Sequence, residues 1–347
     1  MSDHSKIEWT DATWNPVRGC SRVSEGCRNC YAERMAARFS GPGMWADGLA
    51  ENTPAGPRWT GRVELVPDKL DQPLRWKAPR RIFVNSMSDL FHEGLPDEAI
   101  DQVFAIMAAC PRHTFQVLTK RPERMLAYAR RVEASKPHDT VNMAVFDLAR
   151  ISGDFATWPL PNVWLGVSVE DQGTAAARIP LLLATPAAVR FVSAEPLLGE
   201  VNLLPWMERC PYTQHVNGWQ HGWHFDGDAP RVICAWCGEM RDALTDRVYG
   251  QRHTVPGLDW VIVGGESGPG ARPMQRDWAR SLRDQCEAAG VAYFFKQWGE
   301  HAPNWLNDDE GNEIPGSAWI DRMGKHAAGR LLDGREHNAF PGSEAWA

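Results

Sequence analysis

Residues 163–169 read Val-Trp-Leu-Gly-Val-Ser-Val, and Glu170 and Asp171 follow directly. The run is apolar almost throughout, with no regular alternation between apolar and polar positions. Such a run is typical of a strand that is buried on both faces of a parallel sheet. The stretch therefore predicts an interior strand of an α/β fold, with acidic residues at its carboxyl end.

Similar runs recur along the chain, at residues 81–85, 114–119, 189–194, 260–264 and 291–296. Apolar residues at helical spacing predict helices between them, at residues 97–109 and 277–289 and, from weaker patterns, at 121–132 and 174–183. Alternating strands and helices predict right-handed βαβ units and a complete or partial (β/α) barrel. A doubly wound open sheet is the alternative. We expect one domain over residues 1–347, with an insertion at 204–257 and a tail at 304–347 that packs on the barrel.

Polar residues follow each of the six predicted strands, at the edge where ligands bind in both kinds of sheet. The groups are Asn85, Ser86 and Asp89; Thr119, Lys120 and Arg121; Ser168, Glu170 and Asp171; Ser193 and Glu195; residues 264–267; and Lys296 and Gln297. Loops are polar in any protein, so a single residue of this kind has an equally good structural explanation. The repetition at six strand ends favours a functional site.

Composition excludes several classes of protein. The formal charge is -7 over 347 residues, which argues against a protein that coats nucleic acid by bulk electrostatics. No apolar segment follows Met1, and no run of about 18 apolar residues occurs, so we expect a cytoplasmic protein without a membrane span. Close-spaced cysteines in a reducing compartment indicate metal or redox chemistry rather than disulfides.

Three cysteines near the N-terminus, Cys20, Cys27 and Cys30, are spaced C-x6-C-x2-C in a loop with Gly and Pro. Three thiolates can hold a [4Fe-4S] cluster with one iron open, or a zinc ion with a ligand from elsewhere. Buried thiols without metal are the third explanation. We expect the loop to precede the strand-helix units and to lie near the barrel mouth, which favours the cluster.

The insertion at 204–257 carries a second group of ligand residues. They are Cys210, His215, His221, His224, Cys234 and Cys237. Cys234 and Cys237 form a C-x2-C-G knuckle, and Cys210 with either His215 or His224 completes a structural zinc site. The alternative is a solvent loop with scattered cysteines.

Many motifs together resemble the phage-associated three-Cys-motif family, which occurs in bacteriophages and bacterial genomes and is related to radical S-adenosylmethionine (SAM) enzymes. The resemblance covers most of the chain outside the insertion. Besides the cysteine loop it rests on Trp14-Asn15-Pro16, Asn85-Ser86-Met87-Ser88-Asp89, Leu118-Thr119-Lys120-Arg121-Pro122, Gly166-Val167-Ser168-Val169-Glu170, Ser193-Ala194-Glu195-Pro196, Gly264-Gly265-Glu266-Ser267-Gly268 and Phe295-Lys296-Gln297-Trp298-Gly299.

The radical SAM relation implies a cluster whose open iron binds SAM, an electron donor, and a 5′-deoxyadenosyl radical that abstracts hydrogen from a substrate. Phage association implies nucleic acid or a nucleotide as substrate, in host cytoplasm if the gene is phage-borne. The chain departs from the common radical SAM pattern in its first cysteine spacing, which is six residues where three is usual. The aromatic residue, Tyr31, also follows the last cysteine, where it usually precedes it.

The strand-end residues take roles under this resemblance. Asn85, Ser86 and Asp89 are predicted to bind the amino end of SAM, and Ser168 and Glu170 its ribose. The turn at Gly264, Gly265 and Glu266 is predicted to approach the adenine or the carboxylate, although a tight structural turn explains it equally well. Lys120, Arg121 and Lys296 are predicted to bind an anionic substrate or a cofactor carboxylate, and Glu195 to act as acid or base or to pair with those cations. Salt bridges of the cations with Glu195 or Glu266 are the structural alternative.

Two other functions compete with a radical SAM-type enzyme. One is a non-catalytic, metal-stabilised phage protein that binds nucleic acid or a partner protein, for which a basic patch is a candidate at Arg18, Arg22, Arg28, Arg34 and Arg38. The acidic total favours the other explanation of those arginines, a solvated helix face after Cys30. The other is a zinc hydrolase, which needs histidine or carboxylate ligands, and the strand ends carry no histidine.

Overall fold

Seven parallel strands form the centre of the computed structural model. The model describes residues 5–134, 157–207, 257–304 and 319–342, and the backbone of four strands within 223–249. The central strands are β1 (Ala12–Trp14), β2 (Arg81–Val84), β3 (Thr114–Thr119), β4 (Val163–Ser168), β5 (Val189–Ala194), β6 (Trp260–Gly264) and β7 (Ala292–Gln297).

The strands stand in the sheet in the same order as in the chain, from β1 to β7, and every neighbouring pair is parallel. A doubly wound sheet reverses its strand order at a switch point, and this sheet has none. The alternative drawn from the sequence is therefore wrong. The sheet is a seven-stranded half-barrel, compatible with a partial (β/α) barrel.

Five helices of eight residues or more are described: α1 (Tyr31–Arg38), α2 (Asp97–Ala108), α3 (Pro122–Ala134), α4 (Gln172–Leu183) and α5 (Arg276–Ala289). Asp171 caps α4 through a capping box with Thr174. Gly290 ends α5 with φ of 64°, a left-handed conformation that glycine adopts without a side-chain clash. The short helices are Pro67–Leu70, Gln72–Arg75, Leu204–Met207 and Lys325–Ala328.

Alternate residues of each strand face two different cores. One face packs against the helices and includes Val84, Val117, Val167 and Val263. The other face is filled by aromatic and aliphatic side chains from the sheet, the N-terminal segment and the tail: Trp9, Phe83, Leu118, Trp164, Phe191, Trp260, Phe294 and Phe340. Lys120, Glu195 and Lys296 share the parity of the second set, so they continue the inner face of the half-barrel towards its carboxyl edge.

Smaller antiparallel pairs surround the central sheet. They are Val17–Arg18 with Glu64–Leu65, Ala50–Thr53 with Gly56–Trp59, and His301–Asn304 with Trp319–Arg322; within the predicted insertion, Trp223–Asp226, Ala229–Ile233, Met240–Asp242 and Val248–Tyr249 form a four-stranded sheet. The tail runs along β7, where the Phe295 N–H donates to the His337 carbonyl at 3.0 Å. Asn338 forms an antiparallel bridge with Phe294.

All six predicted strands and four predicted helices are present, with ends that differ by no more than two residues. The expected place of the cysteine loop in the order of the chain is wrong. It does not precede the first strand-helix unit but connects β1 to α1, because the three residues of β1 are too few to give a strand pattern. Within the described ranges, no helix is long and apolar enough to span a membrane.

Candidate metal centre

Cys20, Cys27 and Cys30 line one open pocket of about 160 Å³ at the carboxyl edge of the half-barrel. All three thiols are free and half-buried. The other residues around the pocket come from the cysteine loop, α1, the hairpin after α1, and the carboxyl ends of β2, β3 and β4 with the segments that follow β2 and β3: Ser21, Ala32, Trp59, Phe83, Asn85, Ser86, Met87, Ser88, Asp89, Leu118, Thr119, Lys120, Arg121 and Ser168. The fold thus gathers the cysteine loop and several of the predicted strand-end residues around one space.

Cys27 and Cys30 are positioned by two consecutive helical turns. Cys27 ends the 3-10 turn Glu25–Cys27, and Cys30 is the N-cap residue of α1. Burial raises the pKa of the Cys30 thiol, as does the nearby Cys27, while the backbone N–H groups of Glu33 and Ala32 act in the opposite direction. Amides at a helix N-terminus stabilise negative charge, but burial outweighs them and the pKa of Cys30 is raised.

Cys20 is the most strongly perturbed thiol of the pocket. Burial raises its pKa to about 12, and the neighbouring carboxylate of Asp89 contributes in the same direction. Arg121 opposes both, with its Nη1 3.9 Å from the Cys20 Sγ. A thiol in such a place is neutral by itself, whereas a bound metal deprotonates its thiol ligands.

The donor set consists of three thiols around one pocket. Among the residues that the structure describes, no group of three or more His, Cys, Asp or Glu side chains is arranged to hold a metal ion. Three cysteine thiolates are a ligand set for an iron–sulfur cluster with one iron left unligated, and with a fourth ligand they suit zinc.

Asp89 and Arg121 fasten the first part of the cysteine loop. The Asp89 carboxylate accepts hydrogen bonds from the Thr119 hydroxyl at 2.7 Å, the Lys120 N–H at 3.0 Å and Arg121 Nη1 at 3.1 Å. The other terminal nitrogen of Arg121 donates to the hydroxyl of Ser21 at 2.8 Å and to its carbonyl at 3.2 Å. Ser21 is the neighbour of Cys20, so the arginine connects the end of β3 to the first thiol.

Glu170 fastens the middle of the loop. Its carboxylate, almost fully buried, accepts a hydrogen bond from the Ser24 hydroxyl at 2.9 Å and pairs with Arg178 at 2.9 Å and with Lys120. Burial alone raises the pKa of Glu170, but the two cations and Ser24 outweigh burial and hold the pKa below its usual value. A Cβ at Gly26 would stand 2.4 Å from the Glu170 carboxylate, so the loop lies directly on this group.

Glu266 fastens the last part of the loop. Its carboxylate accepts hydrogen bonds from the Asn29 amide at 2.9 Å and, in a bidentate pair, from the Arg272 guanidinium at 2.7 and 3.0 Å. Burial raises the pKa of Glu266, and these bonds outweigh it so that the pKa is lowered. Asn29 also donates to the carbonyl of Gly270 at 2.7 Å. Three acidic residues after β2, β4 and β6 therefore hold the loop that carries the cysteines.

Asn85 has the most distinctive environment among the predicted cofactor-binding residues. It has φ of 62°, its side chain is 3% exposed, and its Oδ1 accepts the Val17 N–H at 3.3 Å. Its Nδ2 is buried and, within the described residues, has no hydrogen-bond partner. A buried donor without a partner costs about 1–3 kcal/mol, so a ligand acceptor in the pocket would relieve a real penalty.

The remaining cofactor-binding predictions fall into two places. Ser86 and Ser168 line the pocket, where the Ser86 hydroxyl contacts the Asn15 side-chain amide. Gly264 and Gly265 lie at the end of β6, outside the pocket lining. A Cβ at Gly265 would stand 1.8 Å from the carbonyl oxygen of Trp298, so this glycine allows two backbone segments to touch. Cofactor contacts of Asp89, Glu170 and Glu266 stay predictions, because their described partners are protein groups.

The three predicted catalytic residues form two ion pairs. Lys120 pairs with Glu170, and Lys296 pairs with Glu195 at 2.5 Å. Lys120 lines the cysteine pocket, whereas Glu195 and Lys296 stand at the ends of β5 and β7. The ion pair between Lys296 and Glu195 is the structural alternative that the sequence left open.

The candidate basic patch is largely neutralised. Arg18 pairs with Glu64, Arg22 pairs with Glu33, and Arg28 lies 3.9 Å from Glu25. The other two members contact neutral groups: Arg34 donates to the carbonyls of Pro269 and Ser267, and Arg38 lies over the Phe39 ring. These partners favour a structural explanation for the arginines.

The predicted zinc knuckle cannot be placed. Cys210, His215, His221, Cys234 and Cys237 lie outside the described residues, and only the backbone of His224 is described, in the strand Trp223–Asp226.

The loop anchors Ser21, Ser24 and Asn29, and their partners Arg178 and Arg272, were not singled out from the sequence. One available signal was the acidic residue after each of β2, β4 and β6, which needs a partner when it is buried. The partner of each acidic residue cannot be predicted from the sequence, since residues as far apart as Ser24 and Glu170, 146 positions from each other, come into contact.

Comparison with known proteins gives a family without an assigned activity. No curated protein and no solved structure matches the chain. A family model described as a protein of unknown function, DUF5131, matches residues 4–341, and the chain belongs to that family.

Proposed function

We propose that the protein is an iron–sulfur enzyme of the radical SAM type. Cys20, Cys27 and Cys30 are its cluster ligands, and the iron without a cysteine is the place for SAM. The observation that carries the proposal is that the three cysteines line one pocket at the carboxyl edge of a parallel half-barrel. Ligands of (β/α) proteins bind at that edge.

The residues of the pocket have three proposed roles: they are metal ligands, hydrogen-bond donors to the bound molecule, or apolar lining. The Asn85 amide supplies a buried donor to an acceptor of the bound molecule. Phe83, Leu118 and Trp59 form apolar walls that exclude water from reactive species. Lys120 places a positive charge at the edge of the pocket, and its ion pair with Glu170 holds it there.

When bound, a cluster with an open iron supplies one electron to the sulfonium of SAM, which yields a 5′-deoxyadenosyl radical. The chain's own task is to hold three thiolates apart, orient the amino acid end of SAM with Asn85 and Ser86, and keep the substrate beside its 5′ carbon. Glu195 and Lys296 are proposed to bind the substrate or move its proton.

The substrate, the zinc and the family relation are further parts of the proposal. The resemblance to the phage-associated three-Cys-motif family supports nucleic acid or a nucleotide as substrate, by analogy. A structural zinc on Cys210, Cys234, Cys237 and one of His215 and His224 is proposed for the insertion. Thiolate-bound iron needs a reducing compartment, which supports the cytoplasm and a protein electron donor.

Anaerobic purification followed by iron, sulfide and zinc analysis tests the proposal. The expected result is about four irons and four sulfides per chain, with a paramagnetic resonance spectrum of the reduced protein that changes when SAM is added. Replacing Cys20, Cys27 or Cys30 with Ala should remove most of the iron and leave the zinc. Cys110→Ala is the matched control, because Cys110 is a free and fully buried cysteine outside the pocket.

The same experiment distinguishes the alternative function. Asp89, Glu170 and Glu266 hold the cysteine loop in place, as is also expected for a metal site whose role is only structural. Iron that is indifferent to SAM, or zinc at all three cysteines, would support a non-catalytic, metal-stabilised protein instead. Iron that survives all three single replacements would show that the ligand assignment is wrong.

A further inference from the structure

We propose that Arg121 tunes the reduction potential of the group bound by Cys20, acting through the Cys20 sulfur. The inference rests on the proposed function, since it requires a redox-active cluster at the three cysteines. Arg121 is a positioning residue here, because it reaches the bound group only through a ligand and through the loop that carries it.

Arg121 is a buried cation, and hydrogen bonds from all three nitrogens of its guanidinium fix the orientation of the group. Its side chain is 5% exposed, its Nε donates to Glu93 at 2.9 Å, and its Nη1 donates to Asp89 at 3.1 Å. Its Nη2 donates to the Ser21 hydroxyl at 2.8 Å. These bonds leave Nη1 3.9 Å from the Cys20 Sγ, within the range of a weak hydrogen bond to sulfur.

Arginine is suited to this position in a way that lysine is not. The planar guanidinium presents several donors in fixed directions, so one side chain can hold Ser21 and face Cys20 at the same time. A lysine ammonium is a single point charge and must choose between these partners. The position of the cysteine loop and the positive charge near the Cys20 sulfur therefore both depend on Arg121.

Charge and hydrogen bonding at the ligand sulfurs are main determinants of cluster potential. Reduction adds one negative charge, and a nearby buried cation stabilises that charge more strongly than an exposed cation does. Asp89 acts in the opposite sense on Cys20, while Glu93 is 69% exposed and screened by solvent. Loss of Arg121 therefore leaves the field of Asp89 uncompensated and disfavours the reduced state.

The test is a redox titration of the reconstituted holoprotein, followed by paramagnetic resonance. Arg121→Met should shift the reduction equilibrium at least tenfold towards the oxidised state, which is about 59 mV for one electron. Ser21→Ala, which removes one anchor of the guanidinium, should shift it in the same direction by less. Arg121→Lys should fall between Met and wild type.

Arg124→Met is the matched control. Arg124 lies in the first turn of α3, which begins directly after Arg121, and its guanidinium pairs with Asp97 at 2.9 Å and with the carbonyls of His92 and Leu95. The reduction potential of the Arg124→Met variant should equal that of the wild type. If Arg121→Met fails to fold, Ser21→Ala and Arg121→Lys decide the matter through the same measurement.

Two negative results are distinguishable. Wild-type protein that binds no iron–sulfur cluster overturns the proposed function and this inference with it. If the wild-type protein binds the cluster, and the Arg121 and Ser21 variants have the same reduction potential as the wild type, this inference alone is overturned. A shift of equal size in Arg124→Met also overturns it, because the effect would then be a general loss of positive charge.

Discussion

The Ser24 hydroxyl donates a hydrogen bond to the Glu170 carboxylate at 2.9 Å, although 146 positions separate the two residues. Glu170 follows β4, and Ser24 lies between Cys20 and Cys27 in the loop after β1. Lys120 contacts the same carboxylate oxygen as Ser24, and Arg178 donates to the other oxygen. The end of one strand thereby fixes the loop that carries the cysteines, and changes at Glu170 should affect both stability and metal content.

Glu170→Gln should destabilise the protein by about 3–5 kcal/mol, because it leaves the buried Arg178 and Lys120 without a compensating charge. Iron content after anaerobic reconstitution should fall as well, since Ser24 loses its charged acceptor. Urea unfolding and iron analysis measure the two effects. Glu287→Gln, at an exposed position on α5, is the control and should change neither. A stable variant with full iron content would contradict the anchoring role.

Gly26→Ala should reduce iron content, because the added Cβ would stand 2.4 Å from the Glu170 carboxylate. The carboxylate cannot move aside cheaply, since it is buried and held by two cations. We therefore expect the loop to shift instead and the cysteines to move with it. Gly199→Ala is the control, with its nearest neighbour at 3.6 Å. Equal iron content in both variants would show that the loop tolerates the shift.

Glu266 should make the protein lose stability in acid. Its pKa is held below the ordinary value of 4.5, so its contribution is complete above that value and is lost as the pH falls through the lowered pKa. Glu266→Gln should therefore be less stable than wild type at pH of about 7, by about 1.5–3 kcal/mol, and the difference should narrow below pH of about 4. Urea unfolding across this range measures it. A difference independent of pH would assign the effect to packing.

Asn85→Gly should weaken SAM binding and should also lower stability, because the buried Val17 N–H loses its Oδ1 acceptor. Glycine adopts the observed φ of 62° without strain, so the backbone of the pocket stays in place. The variant loses the buried Nδ2 donor, which we expect to lower SAM affinity about tenfold. Anaerobic equilibrium dialysis with SAM gives the affinity, and iron analysis shows that the cluster is intact. Unchanged affinity at full iron content would remove Asn85 from the cofactor site.

Local pattern was enough for six of the seven strands of the central sheet. Strands 114–119, 189–194 and 260–264 are bounded as predicted, because runs of β-branched and aromatic residues between helices are typical of buried strands in an α/β fold. The strand β1 was missed because three residues are too short for any periodicity. The sheet order was left open between two topologies, since both are built from the same βαβ units.

The sequence by itself determined that this is an alternating α/β chain with three close-spaced cysteines and polar residues at the strand ends. Only the tertiary structure decided that Asp89, Glu170 and Glu266 hold the cysteine loop, that Lys296 pairs with Glu195, and that Asn85, which lines the pocket, has a buried side-chain donor without a described partner. The reason is that strand periodicity fixes the face on which a side chain lies, whereas its partner depends on which distant segment the half-barrel brings to that edge.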